Sequence, residues 1–118
     1  MKENKLLKMA QDFAVCVISM ADDLRSSNYR SIADQLLRSG TSISANIAEG
    51  NHPQSRADMI SKFEIALKEA NESENWIEIC RKSSLISEEV FRSVHKQLVQ
   101  IKILLISSIR TLKKNEDQ

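Results

Sequence analysis

Glu69 and Glu72 are the residues whose type and spacing come closest to catalytic chemistry in this chain of 118 residues. Carboxylates three residues apart lie on one face of a helix, where they could serve as acid and base or hold a metal ion. Metal-binding helical bundles add an inward-facing histidine three residues after a glutamate. Neither Glu69 nor Glu72 is followed by a histidine at that distance. We therefore interpret both as ion-pair partners on a helix face, with Arg38 as the candidate cation.

Other reactive side chains favour structural roles. His52 and His95 are the only two histidines, which are too few for a typical metal site. Cys16 and Cys80 fall inside apolar helical patterns, where free cysteine behaves as a small buried hydrophobe. The sequence has no Cys-x-x-Cys motif and no glycine-rich phosphate loop. We expect a protein that is not an enzyme and that uses no metal, cofactor or small-molecule substrate.

A broad arc of the last helical segment is basic. It could bind phosphates through non-specific electrostatics, or it could be a solvated helix face whose cations suit the helix dipole. The net charge of +1 is far from that of a dedicated nucleic-acid-binding protein, so any such contact depends on this local patch. The candidate nucleic-acid contacts on the arc are Arg92, Lys96, Lys102, Arg110, Lys113 and Lys114.

Four amphipathic helices must position these residues, because apolar side chains recur at alternating spacings of three and four along four segments. We predict helices over residues 5–26 and 29–49, a third that begins at Ser55 and is closed by RKSSLIS (81–87), and a fourth that begins at Ser87. The tail KKNEDQ (113–118) is expected to fray. Long helices with short connections predict an all-α protein, an antiparallel up-down-up-down four-helix bundle that forms a single domain over residues 1–118.

The stretch LLRSGTSISANIAEG (36–50) is the least typical part of the second helix. It lacks both the alternation of a strand and the glycines of a phosphate loop. Its small residues lower intrinsic helicity, which predicts that a neighbouring helix approaches closely around Gly40. We interpret Gly50 as the residue that ends the helix by adopting the left-handed conformation.

A polar line follows the same helix from Arg38 to Glu49. These two residues are too distant to pair within the helix, where neighbours are three or four residues apart. We expect them, and Asn46 between them, to find partners on other elements. The candidates that an assembled ring would supply are Glu69 and Glu72 for Arg38, and backbone groups or cations of an adjacent segment for Asn46 and Glu49. The alternative is that these polar residues line a ligand or nucleic-acid site.

The third and fourth segments carry a second apolar face, which a monomeric bundle would leave in solvent. Contiguous apolar patches mark interaction surfaces, and tryptophan is favoured at the centre of interfaces. We therefore predict a homo-oligomer that assembles through these two segments. The predicted interface residues are Ile65, Trp76, Ile79, Val99, Ile103 and Ile106.

LLRSGTSISANIAEG and SRADMISKFEIALKEANESENWIEIC (55–80) together resemble the bacterial four-helix-bundle family of 23S rRNA intervening-sequence proteins. The accessory variability proteins of diversity-generating retroelements are related to this family. The resemblance implies a non-enzymatic bundle that forms a ring, commonly a pentamer. It also implies contact with RNA, DNA or a nucleic-acid-handling protein. The matching residues to which we assign structural or interface roles are Arg38, Asn46, Glu49, Gly50, Glu69, Glu72 and Trp76.

Two functions remain open at this point: a ring that contacts nucleic acid or a nucleic-acid-handling partner, and a scaffold that binds only proteins. The first residues lack the unbroken apolar core of a signal peptide, and the longest apolar run, ILLI (103–106), is too short to span a bilayer. We therefore expect a cytoplasmic protein with no membrane partner.

Overall fold

Four helices follow one another along the chain in a computed structural model, which describes residues 2–116. They are α1 (Lys2–Ser26), α2 (Arg30–Gly50), α3 (Arg56–Lys82) and α4 (Glu88–Glu116). Each helix packs against its neighbours in the chain, and α4 returns to pack against α1. The bundle measures 52 × 22 × 20 Å. The prediction of an all-α four-helix bundle is confirmed.

Serine side chains begin two of the helices, as predicted. The Ser55 hydroxyl accepts a hydrogen bond of 3.0 Å from the backbone N–H of Asp58, and the Ser87 hydroxyl accepts one of 3.1 Å from Val90. The Asp58 carboxylate accepts from the backbone N–H of Gln54 at 3.1 Å, one residue earlier than in the usual capping box. These bonds satisfy backbone donors that a helix start otherwise leaves free.

The predicted fraying of the tail is corrected in part, because α4 continues through Lys113 and Lys114 to Glu116. Residues 117 and 118 of that tail lie outside the described residues. None of the four helices, within residues 2–116, has an apolar stretch long enough to cross a membrane.

The apolar stripes of the four helices meet in one core. Its largest fully buried side chains come from every helix, so no helix can be removed without exposing core surface. Ile60 is buried whereas its neighbour Met59 is only partly buried, and Ile109 is buried whereas Ser108 is only partly buried. The side chains at the centre of the core include Phe13, Val17, Leu36, Ile43, Phe63, Ile77, Leu98 and Ile101.

The close approach predicted around Gly40 is present between α2 and α1. A Cβ atom added to Gly40 would stand 2.8 Å from Cγ1 and 2.9 Å from Cγ2 of Val17. On the α3 side of the same helix, the buried Ser73 hydroxyl donates to the Ser39 hydroxyl at 2.9 Å. The Ser39 hydroxyl in turn donates to the carbonyl of Leu36 at 3.3 Å. The small residues of α2 therefore hold it close to both neighbours.

The interpretation of Gly50 as a left-handed helix end is wrong. Neither glycine has a positive φ, and Asn51 after it is also in the right-handed region, with φ −75°. Gly50 is buried because the Phe63 ring lies against it: an added Cβ would stand 2.6 Å from Cε1 of that ring. The missing side chain makes room for packing rather than for a turn.

Replacing Gly40 by alanine should destabilise the protein, although alanine is the better helix former by about 1 kcal/mol. The new methyl group would overlap Val17, whose branched side chain has one strongly preferred rotamer in a helix. We expect the free energy of unfolding, measured by urea titration, to fall by about 1–3 kcal/mol.

Val17→Ala is the matched background for this test, because it removes both Cγ atoms that the new methyl group meets. In the Val17→Ala background, Gly40→Ala should lower the free energy of unfolding by clearly less than it does in the unchanged protein. It should also lower that free energy by less than Gly40→Leu does. An equal cost of Gly40→Ala in both backgrounds would show that Val17 does not limit the space at this position.

Candidate functional site

The groove between α2 and α3 holds the most connected polar cluster of the molecule. The Arg38 guanidinium donates to the Glu69 carboxylate at 2.9 Å and also to the Glu72 carboxylate. The indole N–H of Trp76 donates to Glu72 at 3.4 Å. Arg38 is half exposed, whereas the Glu69 side chain is only 13% exposed. The two carboxylates share one cation, as the sequence predicted, and both come from the same chain as Arg38.

This cluster does not favour acid–base catalysis. The hydrogen bond from Arg38 holds the pKa of Glu72 below its ordinary value of 4.5. A general acid or base works best with a pKa near the operating pH, which for a carboxyl group requires a raised value. Glu72 therefore stays ionised at neutral pH and acts as a structural anion.

The rest of the polar line on α2 has mixed partners. The Ser42 hydroxyl donates to the Arg38 carbonyl at 2.6 Å, and the Asn46 amide donates to the Ser42 carbonyl at 2.8 Å. Within one chain, the Asn46 amide thus bonds to its own helix and not to another element, because its short side chain folds back on the preceding turn. Glu49 does find a cation of the adjacent helix, with 3.7 Å between its carboxylate and the Lys62 ammonium.

One Glu-x-x-His spacing does occur in the chain, at Glu49 and His52, and sequence reasoning overlooked it. α2 ends at Gly50, so His52 lies in the following loop and the two residues do not share a helix face. Both line an open groove with Gln54, Asp58 and Lys62. Among the described residues, no group of three or more His, Cys, Asp or Glu side chains is arranged to hold a metal ion.

The apolar side chains predicted on the outer face of α3 are only partly exposed. Ile65 and Ile79 are 39% and 38% exposed, on the side of α3 that adjoins α2. Trp76 is half-buried: its ring packs against the core while its N–H reaches Glu72. Of the three residues, the two isoleucines are the exposed ones, and Trp76 is half-buried.

The outer face of α4 is more open. Ile103 is 59% exposed and Ile106 is 36% exposed, whereas Val99 is half-buried. Ile106 borders a groove between α3 and α4 that also contains Leu67 and Ile109. The charged residues that line this groove include Glu64 of α3 and Arg110 and Lys113 of α4.

Two of the six cations on the basic arc of α4 are held by carboxylates of α3. Lys102 donates to Glu74 at 3.1 Å, and Lys113 donates to Glu64 at 3.1 Å. His95 also faces Glu74, with 3.4 Å between the imidazole and the carboxylate. The remaining four form no ion pair with side chains that the structure describes: Arg92, Lys96, Arg110 and Lys114.

Two strongly exposed apolar residues lie on α1, where sequence reasoning predicted no surface role. Val15 is 66% exposed and Ile18 is 53% exposed. Both fall outside the stripe from Leu6 to Leu24 that fills the core. The helical wheel contained this signal, because at 100° per residue both side chains point away from that stripe.

Arg38→Gln should lower stability by up to about 1 kcal/mol at pH 7, because a half-exposed ion pair contributes little more. The effect should depend on pH in a defined direction. The folded-state pKa of Glu72 lies below 4.5, so the contribution of the pair is complete above that pH and is lost as the pH falls further. Urea titrations of both proteins at pH 7, 5, 4 and 3, at one protein concentration, measure this difference.

The exposed Arg92 supplies the control, because it forms no ion pair with the described side chains. Arg92→Gln should leave the pH dependence of stability unchanged. If the difference in free energy of unfolding between Arg38→Gln and the unchanged protein stays constant from pH 7 to pH 3, the role assigned to Glu72 is contradicted.

The chain is similar to proteins of one known family. The family described as 23S rRNA-intervening sequence protein matches residues 2–107. A solved structure from Bacteroides thetaiotaomicron, a protein of unknown function from the S23 ribosomal protein family, is 41% identical in sequence. The match has a TM-score of 0.90 and covers 93% of this chain and 99% of that one. No curated protein matches the chain. The chain therefore belongs to the 23S rRNA-intervening sequence protein family.

Proposed function

We propose that this protein is a non-enzymatic, cytoplasmic bundle that assembles with copies of itself, in a ring of five subunits. The observation that carries the proposal is the exposure of Ile103, which is 59% in a helix whose inner face is already filled. The number of subunits follows from the family resemblance.

Apolar exposure elsewhere on the molecule supports the same proposal. Ile65 and Ile79 on α3, and Val15 and Ile18 on α1, are each more than a third exposed. Isolated apolar residues are common on protein surfaces, but apolar patches on several helices are typical of proteins that bury them against partners. The ionised Glu72 and the lack of a metal-binding group among the described residues leave the surface as the functional part of the molecule.

Ile103→Glu should dissociate the assembly, because it places a charge in the centre of an apolar contact that excludes water. Sedimentation velocity at micromolar concentration should show a closed oligomer for the unchanged protein and a 13.4 kDa monomer for the variant. Ile103→Leu is the control and should assemble normally. An unchanged protein that is monomeric under these conditions would refute self-assembly.

A second candidate function, contact with nucleic acid, is supported by the cations of α4 that form no ion pair with described side chains. Arg92 and Lys96 lie near the start of the helix, whereas Arg110 and Lys114 lie near its end. Exposed cations without carboxylate partners are available to phosphates, whereas Lys102 and Lys113 are already bound by glutamates.

The combined replacement of Arg92, Arg110 and Lys114 by glutamine should weaken binding of a single-stranded RNA 20-mer. The slope of log K against log salt concentration should become shallower by about 2, at about 0.7 for each lost phosphate contact. Fluorescence anisotropy at several salt concentrations measures both quantities, and single-stranded DNA serves as the comparison ligand.

A variant with the same loss of charge on α1, in which Lys5, Lys8 and Arg25 become glutamine, is the matched control and should bind like the unchanged protein. Equal losses of RNA affinity in the two triple variants would indicate that only the net charge of the protein matters. Absence of RNA and DNA binding by the unchanged protein at low salt would favour the alternative function, a scaffold that binds only proteins.

A further inference from the structure

The outer face of α1 carries a stripe of exposed side chains that do not pack in the core. Val15 and Ile18 are 66% and 53% exposed, and Asp22, one turn further, is also exposed. The three residues are spaced by three and then four positions, so they lie on one face of the helix. Asp22 forms no ion pair with the described side chains.

α4 presents a stripe of the same spacing with the complementary charge. Lys96, Val99 and Ile103 are also separated by three and then four positions. Lys96 is exposed and forms no ion pair with the side chains that the structure describes. Each stripe thus contains two apolar residues and, at one end, one charged residue.

The two stripes match when the helices are placed antiparallel. In one register Val15 lies opposite Ile103, Ile18 lies opposite Val99, and Asp22 lies opposite Lys96. The apolar pairs then exclude water together, and the carboxylate meets the ammonium at the end of the contact. The reversed, parallel placement would set the carboxylate against Ile103 and the ammonium against Val15.

The stripes do not meet within one molecule. α1 and α4 are already neighbours in the bundle, where the Gln97 amide contacts the Cys16 sulfur at 3.5 Å. That contact lies on the facing sides of the two helices, whereas Val15 and Ile103 remain exposed on their outer sides. A second copy of the chain can therefore supply the opposite stripe.

We propose that the α1 stripe of one copy binds the α4 stripe of a second copy, in the antiparallel register that pairs Asp22 with Lys96. The proposal rests on the self-assembly proposed above and names the surface that receives α4. Because the two stripes are different surfaces, the contact is head-to-tail, and every copy has one stripe of each kind. Such a contact continues until the chain of copies closes into a ring.

The neighbouring charges fit this register. Lys8 of one copy would approach Arg110 of the next, but its ammonium is already bound by Asp12 at 3.2 Å. Arg110 therefore meets a neutralised pair rather than a free cation. The outer apolar residues of α3 take no part in the contact.

Two variants, each blocked on one stripe, test the proposal. Val15→Glu removes the α1 stripe and Ile103→Glu removes the α4 stripe, and both sites are exposed enough to keep the fold, which circular dichroism verifies. Each variant alone should sediment as a monomer. Mixed in equal amounts, they should form a dimer with one copy of each. The Ile103→Glu copy keeps an intact α1 stripe, and the Val15→Glu copy keeps the intact α4 stripe that binds it.

Ile79→Glu on α3 tests the alternative receiving surface, because Ile79 is one of the interface residues predicted from the sequence. Val90→Glu, at an exposed apolar site outside both stripes, is the matched control and should assemble like the unchanged protein. If Ile79→Glu dissociates the assembly while Val15→Glu does not, α3 receives α4 and the stripe pairing is overturned. A mixture of the two blocked variants that stays monomeric also overturns it. A monomeric unchanged protein overturns self-assembly and this pairing together, so the two failures are distinguishable.

Charge reversal tests the register. Asp22→Lys and Lys96→Glu should each weaken association by about tenfold or more, because each sets like charges against one another. The double variant should recover most of the lost affinity, because it restores an opposite pair in the same place. If the loss of association free energy in the double variant equals the sum of the losses in the two single variants, the antiparallel register is overturned.

Discussion

The bundle depends on how closely α1 and α2 approach at Gly40. The branched side chain of Val17 occupies the space in which a Cβ atom of residue 40 would stand. On the side of α2 that faces α3, the hydroxyls of Ser39 and Ser73 meet in a buried hydrogen bond that joins the two helices. Small side chains therefore fix the position of α2 between its two neighbours, although they weaken the helix taken alone.

The position of α2 determines which chemistry the groove beside it can perform. With α2 and α3 so close, Arg38 reaches two carboxylates of α3 and holds Glu72 ionised. The shared cation offsets part of the negative charge of the two carboxylates, and its hydrogen bond lowers the pKa of Glu72. The same carboxylate also accepts the Trp76 N–H, so the cluster extends to the largest side chain of the outer face.

The outer faces of α1 and α4 carry exposed apolar side chains beside charged ones. Val15 and Ile103 are among the most exposed apolar side chains of the described residues, and both lie on helices whose inner faces are fully packed. Glutamates of α3 bind Lys102 and Lys113, which leaves four cations of the basic arc without an ion pair among the described side chains: Arg92, Lys96, Arg110 and Lys114. The surface of α4 therefore combines an apolar centre with cations at both ends.

The sequence by itself determined the four helices, their serine caps and most of the core, because these depend on neighbours three or four residues away. Tertiary structure decided the properties that depend on distant residues. Glycine is a residue type that often ends helices, but Gly50 is required for another reason. The ring of Phe63, thirteen residues later, lies where a larger side chain would stand. The Asn46 amide could donate to a carbonyl of its own helix or of a neighbouring one, and in the chain it donates to the Ser42 carbonyl of its own helix. How far an outer apolar side chain is covered is settled only when all four helices pack together, as with Trp76, which was predicted on the outer face and lies half-buried against the core.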